Sequence, residues 1–228
     1  MKKVLAVVLV MILLTLGLLA GCGPVLTKTY DYADFTRVEV GHAFQVKFVQ
    51  SDKYSISITA SEDLLNHIEV SQKGETLIIR VNEIVSFGTR KAEITMPNLH
   101  GLNLSGASKG TIQGFSSSYD FDLDVSGASS LTGDIKAGDT QFTVSGASTA
   151  QLEGSADDMT VDASGASRIK LADFKVDNAD VRLSGASSGT LKLDGRLDAD
   201  LSGASRLKYV GTPTLGNVDI SGSSSLSK

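Results

Sequence analysis

Ser105-Gly106-Ala107-Ser108 is a four-residue word that the chain repeats from Ser126, Ser145, Ser164, Ser184 and Ser202, and once more as Ser-Gly-Ser-Ser from Ser221. Successive copies stand 21, 19, 19, 20, 18 and 19 residues apart. A near-constant period of this length marks a stacked repeat, in which each unit buries its apolar face only against its neighbours. The residues ahead of each word identify the unit. Leu102, Leu123, Phe142, Val161, Val181, Ala199 and Val218 stand three places before it, and Leu104, Val125, Val144, Ala163, Leu183, Leu201 and Ile220 one place before it. The column between them, Asn103, Asp124, Thr143, Asp162, Arg182, Asp200 and Asp219, is polar throughout. The period is therefore two, and the segment is a strand with one buried face.

After the word the pattern is looser. Leu131, Ile169, Leu207 and Leu226 share one column, and Ile112, Leu152, Leu171 and Leu191 another two places on, with Thr111, Thr132, Gln151, Lys170, Thr190 and Lys208 between them. One unit is a strand, a Gly-containing corner, a second strand and a variable return loop. Seven such units predict an all-β, single-stranded parallel β-helix. Gly reaches backbone angles closed to other residues, and small Ala and Ser let corners stack one strand spacing apart, ~4.8 Å. The Ser hydroxyls have two uses open to them, bonding backbone groups at the corner or one another along the stack. In-register coils put Arg182 between Asp162 and Asp200 on one column.

With 23 Gly, three Pro and no Trp in 228 residues, the composition suits many tight corners in one extended domain. A net charge of −5 gives no basic patch of nucleic-acid type, so no nucleic-acid partner is expected. Residues 1–21 read as a signal peptide: Lys2 and Lys3 open it, and residues 4–20 form an apolar run interrupted only by Thr15 and Gly17. Leu19-Ala20-Gly21-Cys22 resembles a bacterial lipobox, which is cut before the Cys so that Cys22 carries a diacylglycerol thioether as the new N-terminus. A single Cys forms no internal disulfide, which agrees with this use. Removing Lys2 and Lys3 leaves 19 basic against 26 acidic residues, a net charge of −7. The expectation is a lipoprotein, with palmitate among its acyl chains, tethered in the bacterial cell envelope outside the cytoplasmic membrane.

Residues 22–34 show no sustained period and read as a tether. Val38, Val40, Phe44, Val46 and Phe48 then alternate with polar residues, as do Ile56 and Ile58, Ile68 and Val70, and Leu77, Ile79 and Val81. Gln72-Lys73-Gly74-Glu75 reads as a turn, Ser61-Glu62-Asp63-Leu64-Leu65 as the start of a helical turn, and 85–91 as an exposed loop. Val38-Glu39-Val40-Gly41-His42-Ala43 has the shape of the later strand and corner, with Gly41 in the corner. Residues 35–100 are thus expected to be degenerate coils with longer loops, continuous with the regular array over 101–228; a separate small β-sandwich is the rival.

Phe35-Thr36-Arg37-Val38-Glu39-Val40, the Gly-Glu-Thr-Leu turn from Gly74 and the repeated Leu-x-Leu-Ser-Gly-Ala-Ser units resemble the head GIN domain family of auto-transporter adhesins, over roughly residues 35–228. The resemblance implies a β-helical fold and an envelope location.

Two outward columns are candidate surfaces. Asp162, Asp180, Asp198, Asp200 and Asp219 form an acidic face, for which weak Ca²⁺ binding and plain solvation are alternatives; the Gly-rich calcium nonapeptide is absent. Lys109, Arg168, Lys170, Arg206 and Lys208, interleaved with Ser and Thr, form a face suited to an acidic glycan or an envelope protein. Gly106-Ala107-Ser108-Lys109-Gly110 and Gly185-Ala186-Ser187-Ser188-Gly189 match a nucleophile pattern. Its triad needs a His later in the chain, and the last His is His100. His42, His67 and His100 are scattered, so no cofactor or metal is expected. The sequence therefore favours a non-catalytic envelope protein displaying an adhesin-like β-helix, with weak self-association at its open C-terminal edge. A polysaccharide-active enzyme is the alternative that fold analogy supplies.

Overall fold

The computed structural model of the protein describes residues 24–82 and 88–228. The expected signal peptide, Cys22 and the first part of the expected 85–91 loop lie outside the described residues. The early part contains β1 (Val25–Tyr30), β2 (Arg37–Val40), β3 (Gln45–Gln50), β4 (Ser55–Ser61), α1 (Glu62–His67), β5 (Ile68–Lys73), β6 (Thr76–Val81) and β7 (Lys91–Met96). The repeats supply β8 (Gly101–Leu104), β9 (Lys109–Ser116), β10 (Phe121–Val125), β11 (Ser130–Lys136), β12 (Thr140–Val144), β13 (Thr149–Ser155) and β14 (Asp158–Ala163). They continue through β15 (Arg168–Val176), β16 (Asn178–Leu183), β17 (Ser188–Leu193), β18 (Arg196–Leu201), β19 (Arg206–Val210), β20 (Thr214–Ile220) and β21 (Ser225–Ser227).

These strands form a parallel β-solenoid of two facing sheets. The first sheet runs β1-β4-β7-β3-β9-β11-β13-β15-β17-β19-β21, and the second β20-β18-β16-β14-β12-β10-β8-β2-β6-β5. The strand before each word lies in the second sheet and the strand after it in the first, so the word is the corner between sheets. Both apolar columns point inward and form one continuous core, in which Phe142 stands 6.1 Å from both Phe121 and Phe174 between ring centroids.

The corners stack through the backbone. The N–H of Ala147 donates to the carbonyl of Gly127 at 2.8 Å, and Ala166, Ala186 and Ala204 repeat the contact with Gly146, Gly165 and Gly185 at 2.7 Å. Gly146 has φ 73°, and a Cβ there would meet the Gly127 carbonyl oxygen at 2.4 Å. Glycine is thus demanded twice, by its own conformation and by the corner beneath it. The last Ser of the word turns inward, and its hydroxyl has both uses left open by the sequence. Ser108 and Ser187 donate back to the carbonyls of Ser105 and Ser184 at 2.8 Å. Along the stack, Ser129 and Ser148 accept the backbone N–H of Ser108 and Ser129 at 3.1 and 3.3 Å, and the hydroxyls of Ser205 and Ser224 bond each other at 3.2 Å.

A second ladder lines the opposite corner. The N–H of Asp139 donates to Asp120 Oδ1 at 3.0 Å, that of Asp158 to Asp139 Oδ1 at 3.1 Å, that of Asn178 to Asp158 Oδ1 at 3.3 Å and that of Arg196 to Asn178 Oδ1 at 2.8 Å. The return loops are therefore fixed to one another by side chains.

The early coils are stacked out of chain order. β2 lies between β6 and β8, and β3 between β7 and β9, all parallel, so the first coil is threaded between the second and the third. Both sheets pass through this region without a break. In its corner, Gly41, His42, Ala43 and Phe44 stand opposite Ser105 to Ser108 in register. The left-handed positions are His42 and Ala43, each with φ 61°, one place beyond the expected Gly41. Gly41 instead gives room to the word below, since a Cβ there would lie 3.0 Å from Ser105 Oγ.

The N-terminal end is closed. β4 runs antiparallel to β7, β1 antiparallel to β4 and β5 antiparallel to β6, while α1 buries Leu64 and Leu65. The expected tether over 22–34 is corrected here, because Val25–Tyr30 is an edge strand, with Thr27 Oγ1 2.7 Å from Thr59 Oγ1. Lys28 breaks the apolar alternation of Leu26 and Tyr30, its ammonium 5.1 Å from the centre of the Tyr30 ring. Burial, with the neighbouring Tyr32 adding to it, raises the Tyr30 hydroxyl pKa to about 12. In the last coil described, the side chains of Leu215, Val218 and Ile220 are exposed.

Gly146→Ala should destabilise the protein by at least the ~1–2 kcal/mol of a left-handed alanine. Gly114 (φ 74°) is the control, because a Cβ there meets nothing within 4 Å. Gly114→Ala should show the conformational cost alone, and equal denaturation midpoints for the two variants would refute the stacking constraint. Leu183→Ala, at a side chain 1% exposed, should cost ~2–5 kcal/mol, and Ile220→Ala, 44% exposed in the same column, well under half of that by chemical denaturation.

Candidate functional site

Burial of alternate residues leaves every second side chain of each strand on an outer face, and parallel register aligns these into columns along the solenoid axis. On the first sheet one column reads Lys109, Ser130, Thr149, Arg168, Ser188, Arg206 and Ser225. Its neighbour reads Thr111, Thr132, Gln151, Lys170, Thr190, Lys208 and Ser227. The structure thus places all five sequence-selected cations on one face. Arg168, Lys170, Arg206 and Lys208 cluster across three strands, whereas Lys109 lies three strands away from β15.

All five are exposed, and among the described residues none of their side chains makes a hydrogen bond or ion pair. The early coils extend the face with Lys47 and Lys91, which the sequence reading did not select. With Lys109, Ser57, Thr59 and Thr111 they line a shallow groove of about 670 Å³. A second groove, about 430 Å³, runs beside Lys170 and Thr190, with Glu153 and Asp173 along its far side.

The five selected aspartates share the outer face of the second sheet. Asp162, Arg182, Asp200 and Asp219 form one column, as the expected register required, and Asp180 pairs with Asp198 in the next. The charges are partly settled within strands. Arg182 turns to Asp180 on its own strand, 3.1 Å away. Arg196, not selected from the sequence, holds Asp198 with two hydrogen bonds of 2.6 and 2.8 Å, while the Asn217 N–H donates to the same carboxylate at 2.6 Å. These bonds keep the Asp198 carboxyl below its ordinary value, and the Arg196 bond raises the guanidinium in turn. Asp124, by contrast, is pushed up by partial burial. Among the described residues no group of three or more His, Cys, Asp or Glu side chains is placed to hold a metal ion.

The nucleophile-like serines have structural work. Ser108 and Ser187 are buried at 0% and 1% exposure and donate to corner carbonyls, which points them into the wall rather than toward solvent. His42 sits in the first corner, His67 ends α1 and His100 lies 4.6 Å from the Tyr119 ring, so the three are not brought together.

Residues 34–213 match the family model described as "Putative auto-transporter adhesin, head GIN domain". No curated protein matches the chain. Among solved structures, a "putative adhesin" from Bacteroides fragilis superposes with a TM-score of 0.84 at 20% identity, over 89% of this chain and 96% of that one. A "putative lipid binding protein" from Parabacteroides distasonis gives 0.69 at 16% identity over 89% and 96%. A "putative adhesin" from Parabacteroides merdae gives 0.68 at 16% over 89% and 95%. At these identities the likeness is one of fold.

The two perturbed aspartates should respond to pH with opposite sign. The lowered pKa of Asp198 contributes stability that is present above the unfolded value and lost as pH falls through the folded one. The raised pKa of Asp124 contributes stability that is present below the unfolded value and lost as pH rises through the folded one. Asp198→Asn should therefore lower, and Asp124→Asn raise, the denaturation midpoint near neutral pH, with both differences disappearing below the aspartate range. Shifts of the same sign would contradict this assignment.

Proposed function

The chain belongs to the head GIN domain family, described as "Putative auto-transporter adhesin, head GIN domain", and from that premise we propose that it is a lipid-anchored, non-catalytic envelope protein that presents its solenoid as a binding surface. The observation that carries the reading is the first sheet's outer face, where aligned cations stand on a flat floor of hydroxyls with no partner inside the described residues. Cations left without internal partners on a rigid sheet are pre-organised for an anionic surface or partner.

The lipobox-like Leu19-Ala20-Gly21-Cys22 supports the anchor, and Cys22 stands three residues before Val25 of β1, the outermost strand of its sheet. Several acyl chains anchor stably where one would not, at ~0.8 kcal/mol per buried methylene. The full chain should partition into the detergent phase and Cys22→Ser into the aqueous phase; unchanged partitioning of the variant would end the lipoprotein reading. For the surface, cells displaying the native chain should adhere to envelope-coated supports. Cells displaying Arg168→Ser/Lys170→Ser/Arg206→Ser/Lys208→Ser should adhere less, and equal adhesion would overturn the assignment of this face.

A further inference from the structure

The cations of the cluster recur on alternate coils. Arg168 and Lys170 project from β15 and Arg206 and Lys208 from β19, and the strand between them, β17, offers Ser188 and Thr190 in register with both pairs. The two cations of a pair are two residues apart, ~7 Å along the strand, and the pairs are two strand spacings apart, ~9.6 Å. Within these two columns the flanking positions are again uncharged, Thr149 and Gln151 on β13 and Ser225 and Ser227 on β21, while the next outward column carries Glu153 on β13 and Lys192 on β17, the latter in register with Lys175. From β9 to β21 these two columns contain no carboxylate.

This spacing selects a ligand. One strand spacing is close to the length of one sugar in an extended linear glycan, so a chain lying along the solenoid axis meets one coil per sugar. A carboxylate on every second sugar then meets a cation pair on every second coil, and the neutral sugar between them meets the hydroxyls of Ser188 and Thr190, which both donate and accept. An acidic peptide fits less well: the strands in the middle of the face have their backbone groups paired on both sides, which closes strand addition. We infer that this face binds a linear anionic polysaccharide carrying one carboxylate per disaccharide, laid along the solenoid axis. The inference rests on the surface-binding reading above and adds the chemistry of the ligand.

The test uses the full chain in neutral detergent with three oligosaccharides of equal length. Hyaluronan has a uronate on alternate sugars, oligogalacturonate has one on every sugar, and dextran has none. The native chain should prefer hyaluronan, leave dextran unbound and weaken as salt rises. Arg168→Ser/Lys170→Ser/Arg206→Ser/Lys208→Ser should lose about tenfold or more in hyaluronan affinity. Ser188→Lys/Thr190→Lys, which puts cations into both columns on β17, should reverse the preference toward oligogalacturonate, a readout that simple misfolding does not produce. Tighter native binding to oligogalacturonate, or hyaluronan binding unchanged in the fourfold variant, overturns the inference. If neither glycan binds while the fourfold variant still loses cell adhesion, the polysaccharide is wrong and an acidic protein partner takes its place. If adhesion is also unchanged, the surface-binding reading falls with it.

Discussion

The contact on which the rest of this structure depends is the one between a corner alanine N–H and the glycine carbonyl one coil below, 2.7 to 2.8 Å long at four successive levels. A side chain on the glycine would fill the space that this contact needs, and the left-handed backbone that directs the carbonyl is costly for other residues. Because the corners from Gly127 to Ala204 are held at one separation, the strands flanking them start in a shared register. The inner columns then form one continuous core, and the outer columns fall into rows along the axis. The chemistry of the two faces is in this sense a consequence of a backbone contact that touches neither face.

The repeated part of the fold was legible because its two apolar columns keep a fixed distance from the word even where the loops change length. The aspartate ladder kept a fixed distance too: Asp120, Asp139, Asp158 and Asn178 each stand six places before a word. Its signal is the fixed spacing, but a polar residue in a return loop suits solvent equally well, and only the stacking of the loops identifies it as the acceptor for the next backbone N–H. Lys47 could have been found by laying 38–48 over a later unit. Lys91 could not, since the threading of β2–β3 between β6–β7 and β8–β9 is settled by long-range pairing and not by local pattern. β1 escaped notice for a related reason. An edge strand buries only part of one face, and Lys28 stands where an apolar residue would have marked it.

The two outer faces resolve their charge differently. On the second sheet, Arg37, Arg182 and Arg196 each take a carboxylate within 3.1 Å, so the acidic face neutralises part of itself and gains short links along and between strands. Such exposed pairs contribute little to stability, roughly 0–1 kcal/mol. Their effect is to relieve repulsion between carboxylates that the stack brings within two strand spacings of one another. On the first sheet the same geometry aligns cations with hydroxyls and amides, which relieve no charge. Repulsion there is tempered by the uncharged residues that separate the pairs within the two columns, by Glu93 in register with Lys47 and by Glu153 and Asp173 beside Lys170.

Alternation also separates what constrains the fold from what sets its surface. An inward position answers to the packing of the coils above and below it, and a corner position answers to the carbonyl beneath. Outward positions on the middle strands answer to neither, because their side chains leave the sheet without entering the core. Charge can therefore be moved from rung to rung on the first sheet while Gly146, Ser148 and the apolar columns stay fixed. Relatives at 16% to 20% identity that keep the fold over nine-tenths of this chain are consistent with that division. The order of charges along the first sheet is then set by the outward residues alone, independently of the packing that holds the solenoid together.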